Sequence, residues 1–221
     1  MTRTAHVVQL GTVEYREAWD LQRSIAAEVA AGTRPDTVLF LEHPPTITLG
    51  RRSEPSELHV PENAEVAIVE VDRGGKSTYH APGQLVCYPI LDLMRHGQDV
   101  KRYCRDLEEA LIRTMAAFDV HATRIEGLTG VWLDRPPRKI ASIGIHIHKW
   151  VTTHGYALNV DLDPAPFTQW ITACGLDGYA FTSMARELGR PLAVDDVRPA
   201  AVQALADVFD VAFDEAPPLA A

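Results

Sequence analysis

Lys139-Ile-Ala-Ser-Ile-Gly-Ile-His-Ile-His148 decides how the rest of the chain is read. Four isoleucines in ten residues, with no proline, predict a strand. A period of two puts Lys139, Ala141, Ile143, Ile145 and Ile147 on one face, and Ser142, Gly144, His146 and His148 on the other. Strand-like runs flank it at Thr123 to Leu133 and Tyr156 to Leu162, and the run itself extends to Trp150. Upstream, Thr37 to Leu41 reads as a buried strand, His43-Pro-Pro breaks it, and Thr46 to Leu49 resumes. Ala64 to Val71 and Leu85 to Leu93 are two further strands, separated by the polar segment Asp72 to Gly83. Helical spacing marks Val13 to Ala31, a helix from an Asp99 N-cap to Phe118, Phe167 to Cys174, and Asp195 to Phe209.

Short gaps between strands favour hairpins over crossovers, so the expected fold is α/β (α+β): a mixed, largely antiparallel sheet with packed helices. The 221 residues are expected to form one catalytic domain over 1–221, with its core at about 37–187 and a frayed tail at 215–221. With 30 acidic against 21 basic residues the net charge is −9, and residues 161–221 hold 10 acidic against 3 basic. That balance opposes nucleic acid as a partner, because phosphate contacts need clustered Lys and Arg. No apolar run is long enough for a membrane span, and Met1 to Leu10 lacks the long apolar core and small-residue cleavage site of a signal peptide. Three cysteines, Cys87, Cys104 and Cys174, without CxxC spacing, fit a reducing cytoplasmic setting better than a disulfide framework.

Several groups carry chemistry. Gly75-Lys76-Ser77 resembles the end of a P-loop, but Glu70 stands where the first glycine is needed, so nucleotide chemistry has no support. Arg73 to Gln84 is dense in polar groups and carries paired glycines; it reads either as a ligand loop or as a solvated turn. Lys139 either snorkels at its strand end or, if buried, acts as a base. His146 and His148, with His154 or Cys174, have zinc-like chemistry, yet exposed histidines explain them without a metal, and none is expected. His43 is a site histidine or a turn residue. Cys174, in the short apolar segment closed by Gly175, is the best placed nucleophile; Cys87 in a strand and Cys104 in a helix are explained by packing.

Three ordered blocks resemble the octanoyltransferase family of lipoate biosynthesis. Arg73-Gly-Gly, two variable residues, Thr78, Tyr79, His80, then Gly83-Gln84 and Tyr88 follow the family's first motif. Lys139 to Gly144 is similar to its lysine strand, with His154-Gly-Tyr-Ala-Leu-Asn159 behind it, and Ile171-Thr-Ala-Cys-Gly175 to its nucleophile segment. His43 to Arg51 fits the family's early strand pair. The resemblance implies the catalytic-domain fold shared with biotin and lipoate protein ligases, and no cofactor. It implies transfer of an octanoyl group from acyl carrier protein to a lysine of lipoyl domains, those of 2-oxoacid dehydrogenases and of the glycine cleavage H protein. Cys174 and Lys139 are its implied catalytic residues, and Arg73, Gly74, Gly75, Lys76, Ser77, Thr78, Tyr79, His80, Ser142, Ile143, Gly144, Gly155, Tyr156 and Ala157 line its implied substrate channel. His80 is a second candidate relay, and Ile143 and Leu158 are candidates for the acyl slot. An acidic carrier needs a local basic patch, for which Arg51-Arg52, Lys101-Arg102 with Arg105, and Arg135 to Lys139 are candidates. Competing readings are an ATP-dependent ligase on the same fold, a cysteine thioesterase and a non-enzymatic acyl-binding module.

Overall fold

The computed structural model describes residues 3–173 and 178–215. A nine-stranded sheet forms its centre. Its strands are β1 (Arg3–Thr12), β2 (Thr37–Glu42), β6 (Gln84–Ile90), β7 (Thr123–Ile125), β8 (Leu128–Leu133), β9 (Arg138–His148), β10 (Val151–Asn159), β11 (Ala180–Phe181) and β12 (Val211–Glu215). They run in the order β12-β1-β2-β6-β10-β9-β8-β7, and β11 adds to β9. The β2–β6–β10–β9–β8–β7 path is antiparallel throughout, while β1 pairs in parallel with both β2 and β12. A second sheet, β4-β3-β5, is built from β3 (Thr46–Leu49), β4 (Ala67–Glu70) and β5 (Thr78–His80). The mixed, largely antiparallel sheet expected from the sequence is what the chain forms.

Helices cover both faces of the large sheet. One face packs under α1 (Tyr15–Ala31), where Ala18, Ile25 and Val29 meet Leu39, Leu41, Val86 and Ile90. The other packs under α2 (Val100–Ala116) and α5 (Val194–Phe209), where Leu107, Leu111 and Leu205 meet Val38, Phe40, Leu85 and Val131. Val38-Leu-Phe-Leu41 is therefore apolar at every position because each of its faces is roofed. The Asp99 carboxylate accepts from the Lys101 and Arg102 N–H groups, the N-cap read from the sequence. Short helices α3 (Pro166–Gln169) and α4 (Met184–Leu188) complete the described elements, with a 3-10 turn at Pro55–Glu57.

Several boundaries differ from the sequence reading. Thr123 to Leu133 is not one strand but the β7–β8 hairpin, turned at Gly127 with φ +79°. β9 and β10 form one hairpin through Lys149-Trp150, both at positive φ (49° and 66°), so β10 begins at Val151 rather than Tyr156. That backbone suits asparagine or glycine, which is why the two residues conceal it. The polar segment after Asp72 contains a strand, β5, and the helix expected from Phe167 to Cys174 stops at Gln169. β1 and β12 had no counterpart in the sequence reading; β12 reaches Glu215, where the tail was expected to start, and 216–221 lie outside the described residues.

Candidate active site

A cavity of about 330 Å³ opens where β5, the Arg73–Lys76 loop, β9 and β10 converge. That volume lies at the low end of small-molecule sites, roughly 300–1,000 Å³. Arg73 organises one wall. Its guanidinium is buried and donates to Thr48 O (2.8 Å), Thr48 Oγ1 (2.7 Å) and Lys76 O (2.7 Å). Its donors thus hold the loop in shape, and its charge remains as a field over the cavity. Gly50 and Gly144 permit this packing: a Cβ at Gly50 would lie 2.7 Å from Arg73 Nη1, and one at Gly144 3.0 Å from Arg73 Cδ. Gly74 N–H ties the loop to Ile145 O at 2.9 Å.

β5 divides its three residues between two environments. Thr78 and His80 line the cavity, whereas Tyr79 turns into the cluster with Phe167 and Trp170. Tyr79 and Ser77 are thus the two residues of the expected channel that do not line it; Ser77 donates to Thr172 O at 3.3 Å. Arg73, Gly74, Gly75, Lys76, Thr78, His80, Lys139, Ser142, Ile143, Gly144, Gly155, Tyr156 and Ala157 all do. Thr78 Oγ1 is buried and has no hydrogen-bond partner among the described residues. Ile143, Ile145 and Leu128 supply apolar wall, while Leu158, expected there, is fully buried in the α2–α5 core instead.

Lys139 reaches the cavity through an irregularity that alternation does not reveal. β8 and β9 shift register between Val131↔Ala141 and Trp132↔Lys139, so Ile140 is the extra residue of a bulge. Lys139 therefore shares a face with Trp132, and Ala141 with Val131, against the expectation that Lys139 and Ala141 lie together. Lys139 is 4% exposed, so the snorkelling reading does not hold. Its Nζ stands 5.4 Å from the Trp132 ring centroid. Gly130 makes room, since a Cβ there would sit 2.8 Å from Lys139 Cε and 2.5 Å from Ala141 O. Cys174, the expected nucleophile, lies outside the described residues.

A buried polar array backs the cavity. His80 Nδ1 and Gln84 Oε1 are 2.7 Å apart, and Gln84 Nε2 donates to Asn159 Oδ1 (2.9 Å). His43 bridges Val13 O and the Tyr88 hydroxyl, 2.7 Å each. His154 bridges Asp72 Oδ1 (2.8 Å) and the Tyr15 hydroxyl (3.3 Å). Burial lowers the proton affinity of all three rings: His43 to about 4, His80 well below its usual range, His154 below it despite Asp72. All three are neutral near pH 7. The hydrogen bond from His154 holds Asp72 below the ordinary carboxylate range. His146 Nε2 lies 3.7 Å from the same carboxylate, and among the described residues no group of three His, Cys, Asp or Glu could hold a metal.

Tyr15, Tyr88 and Cys104 line the cavity without having been read as site residues, and His154, read only as a candidate metal ligand, lines it too. Tyr88 and His154 sit inside the quoted motifs, so their signal was present. Tyr15 comes from a different part of the chain, and Cys104, taken as packing, has no pattern around it; burial raises its thiol pKa. Cys87 is the inert core thiol expected, raised by complete burial.

A family model described as the lipoyl protein ligase A/B catalytic domain matches residues 14–206. The chain belongs to that family. An octanoyltransferase of Roseiflexus sp. (strain RS-1) is 48% identical over 214 residues, 95% of this chain and 89% of the relative. One of Mycobacterium tuberculosis is 48% identical over 206 residues, 92% of this chain and 86% of that one. With these relatives, this member of the family is an acyltransferase. The fold is also that of a bipartite lipoate protein ligase from Thermoplasma acidophilum (TM-score 0.74, 16% identity, 97% of this chain and 87% of that one). Biotin protein ligase from Aquifex aeolicus is more distant (TM-score 0.55, 9% identity, 92% and 70%). Among the described residues, no helix is long and apolar enough to cross a membrane.

Proposed function

We propose that the protein moves an octanoyl group from the thioester of acyl carrier protein to the lysine of a lipoyl domain, through a thioester on Cys174. The buried Lys139 at the cavity, carried there by a bulge and a glycine, is the observation that carries this reading. A free thiol with a pKa of about 8.5 is mostly protonated at pH 7, and a lysine beside it either stabilises the thiolate or takes its proton. The Cys174 thiolate attacks the octanoyl carbonyl, and the carrier's thiol leaves with a proton. The acceptor lysine, an ammonium in solution, sheds one proton to become the amine that attacks the acyl-enzyme; the second N–H proton passes to the leaving cysteine, so the net release per turnover is that one proton. A thioester is already activated, so no ATP is required, in keeping with Glu70 at the P-loop position. The expected channel residues around Arg73, His80, Ser142, Gly144 and Gly155 hold the acyl chain and amide, with Ile143, Ile145 and Leu128 as the apolar slot.

Intact mass after incubation with octanoyl-acyl carrier protein, without ATP, tests the reading. Wild type is expected to gain one octanoyl group that an unmodified lipoyl domain discharges. Cys174→Ala is expected to gain none, and Lys139→Met to transfer at least ~100-fold more slowly, the usual scale for a lost acid–base group. Lipoyl-domain labelling only with ATP and free octanoate would overturn the mechanism in favour of a ligase.

A further inference from the structure

Lys139 is carried by a strand whose neighbour stops pairing where the cavity begins. The last register pair of β8 with β9 on that side is Val131↔Ala141. Beyond it β8 continues through Leu128 and Thr129, which line the cavity without a register partner on β9. The other neighbour of β8 is β7, the end strand of the sheet, which meets it at Thr123↔Trp132 and Ile125↔Leu128. A short hairpin at a sheet end needs an anchor to keep a cavity wall in place. Glu108, on α2, supplies one. Its buried carboxylate reaches both strands of the hairpin: Oε2 accepts from Arg124 Nε of β7 at 3.1 Å, and Oε1 accepts the Gly130 N–H of β8 at 3.3 Å. Arg105, three residues back on α2, donates to Oε2 at 2.7 Å.

Gly130 is also the residue across which the Lys139 side chain lies. With φ at +103° it presents bare backbone, and a Cβ there would stand 2.8 Å from Lys139 Cε and 3.2 Å from Nζ. Apolar contact alone could tie a hairpin to a helix, and desolvating a carboxylate costs several kcal/mol before its partners offset it. What the carboxylate adds is direction, because a hydrogen bond fixes where one backbone group sits. We propose that Glu108 is a positioning residue for the reaction: by holding Gly130 it fixes the surface along which Lys139 brings its amine to the cavity. This role rests on the transferase reading, in which that amine serves Cys174, and names the group that aims it.

Three substitutions separate an anchor for Gly130 from a plain ion pair. Glu108→Gln keeps an oxygen for the Gly130 N–H and gives up the charge between Arg105 and Arg124. Glu108→Asp keeps the charge and withdraws the oxygen by one methylene from a bond already 3.3 Å long. Glu108→Met removes both functions at similar volume; Arg105 is half exposed and Arg124 retains Glu109, so neither arginine is left buried alone. Lys139 is read directly, as its acetylation by acetic anhydride relative to exposed Lys149, resolved by peptide mass spectrometry. Loading is read beside it as thiol release from octanoyl-acyl carrier protein. Glu108→Gln is expected within about twofold of wild type on both readouts. Glu108→Asp and Glu108→Met are expected to raise Lys139 labelling about fivefold and to slow loading about tenfold, the scale of one lost hydrogen bond. If Glu108→Met does not fold, the Asp and Gln variants decide alone. The reverse order, with Asp near wild type and Gln impaired, would make Glu108 an ion-pair residue and overturn the anchor. Unchanged Lys139 labelling in every variant, or an equal change in all, would overturn it too. Labelling in the expected order with loading unaffected would leave the anchor standing and remove Lys139 from the transferase reading.

Discussion

The two faces of the large sheet are buried to a similar degree and built on opposite rules. The α2–α5 face is a core of mostly apolar side chains from Ala5 to Val211, held by shape, with the buried hydroxyls of Tyr103 and Tyr156 among them. The α1 face begins the same way, with Ile25, Val29 and Leu39, then changes at the loop and β5 into three histidines, two tyrosines and an arginine, nearly all hydrogen-bonded to a named partner. Burying unpaired polar groups costs a few kcal/mol each, so such a wall exists only if its partners are fixed in advance. The price of that order is paid in the folding of α1, β5 and β10, and Thr78 on the cavity wall is left with a hydroxyl that no described residue satisfies. One face supplies stability, the other supplies direction.

The comparison breaks most visibly if the apolar face is cut. Leu205 on α5 is 1% exposed and lies outside the cavity lining. Leu205→Ala is expected to lower unfolding free energy by about 2–5 kcal/mol and to leave kcat per folded molecule near wild type. Urea unfolding alongside active-site titration checks both. A large loss of kcat at full occupancy of the folded state would mean that the two faces are not independent.

Acid sharpens the contrast from the other side, because the polar face holds three buried imidazoles whose proton affinity the fold lowers. His43 falls from its ordinary 6.5 to about 4 in the fold. Between those values the unfolded chain takes up a proton and the folded chain does not, so stability is full above about pH 6.5 and declines as pH drops toward 4. The span corresponds to roughly 3 kcal/mol for His43, with His80 and His154 acting in the same direction. Asp72 and Glu187, both held low by their partners, lose their contribution only at more acid pH. Tm measured from pH 7.5 to 4 should fall in wild type and fall less in His43→Gln. Superimposable profiles would show that this ring does not carry the acid sensitivity.

The same division explains what the sequence could tell. Arg73, Thr78 and His80 were legible because a motif of local spacing becomes a local loop and strand, and β2, β6 and α5 because covered surfaces demand apolar runs. Lys139 was legible as a residue but not as a direction. Period-two reasoning sent it to the wrong face, and the bulge that corrects it depends on Gly130, nine residues away on another strand. Tyr15 was invisible as a site residue, for its role exists only once β10 brings His154 beneath α1. β12 was missed because its parallel pairing to β1 joins the two ends of the chain, and no local pattern records a partner that distant.

The smallest effect belongs to the rim, where neither rule applies. Of the basic groups read as a docking patch, Arg105 is paired to Glu108 and Arg138 to Glu187, while Arg52 is exposed at the cavity lining. An exposed charge interacts through water and salt, worth under about 1 kcal/mol, so Arg52 can only favour encounter with an acidic carrier. Arg52→Ser should therefore raise the KM for octanoyl-acyl carrier protein a few-fold at low salt, leave kcat unchanged, and lose its effect near ~0.5 M salt as screening takes over. A salt-independent defect would place Arg52 among the fixed groups of the wall instead, and the boundary between the two regions would then have to be drawn further out.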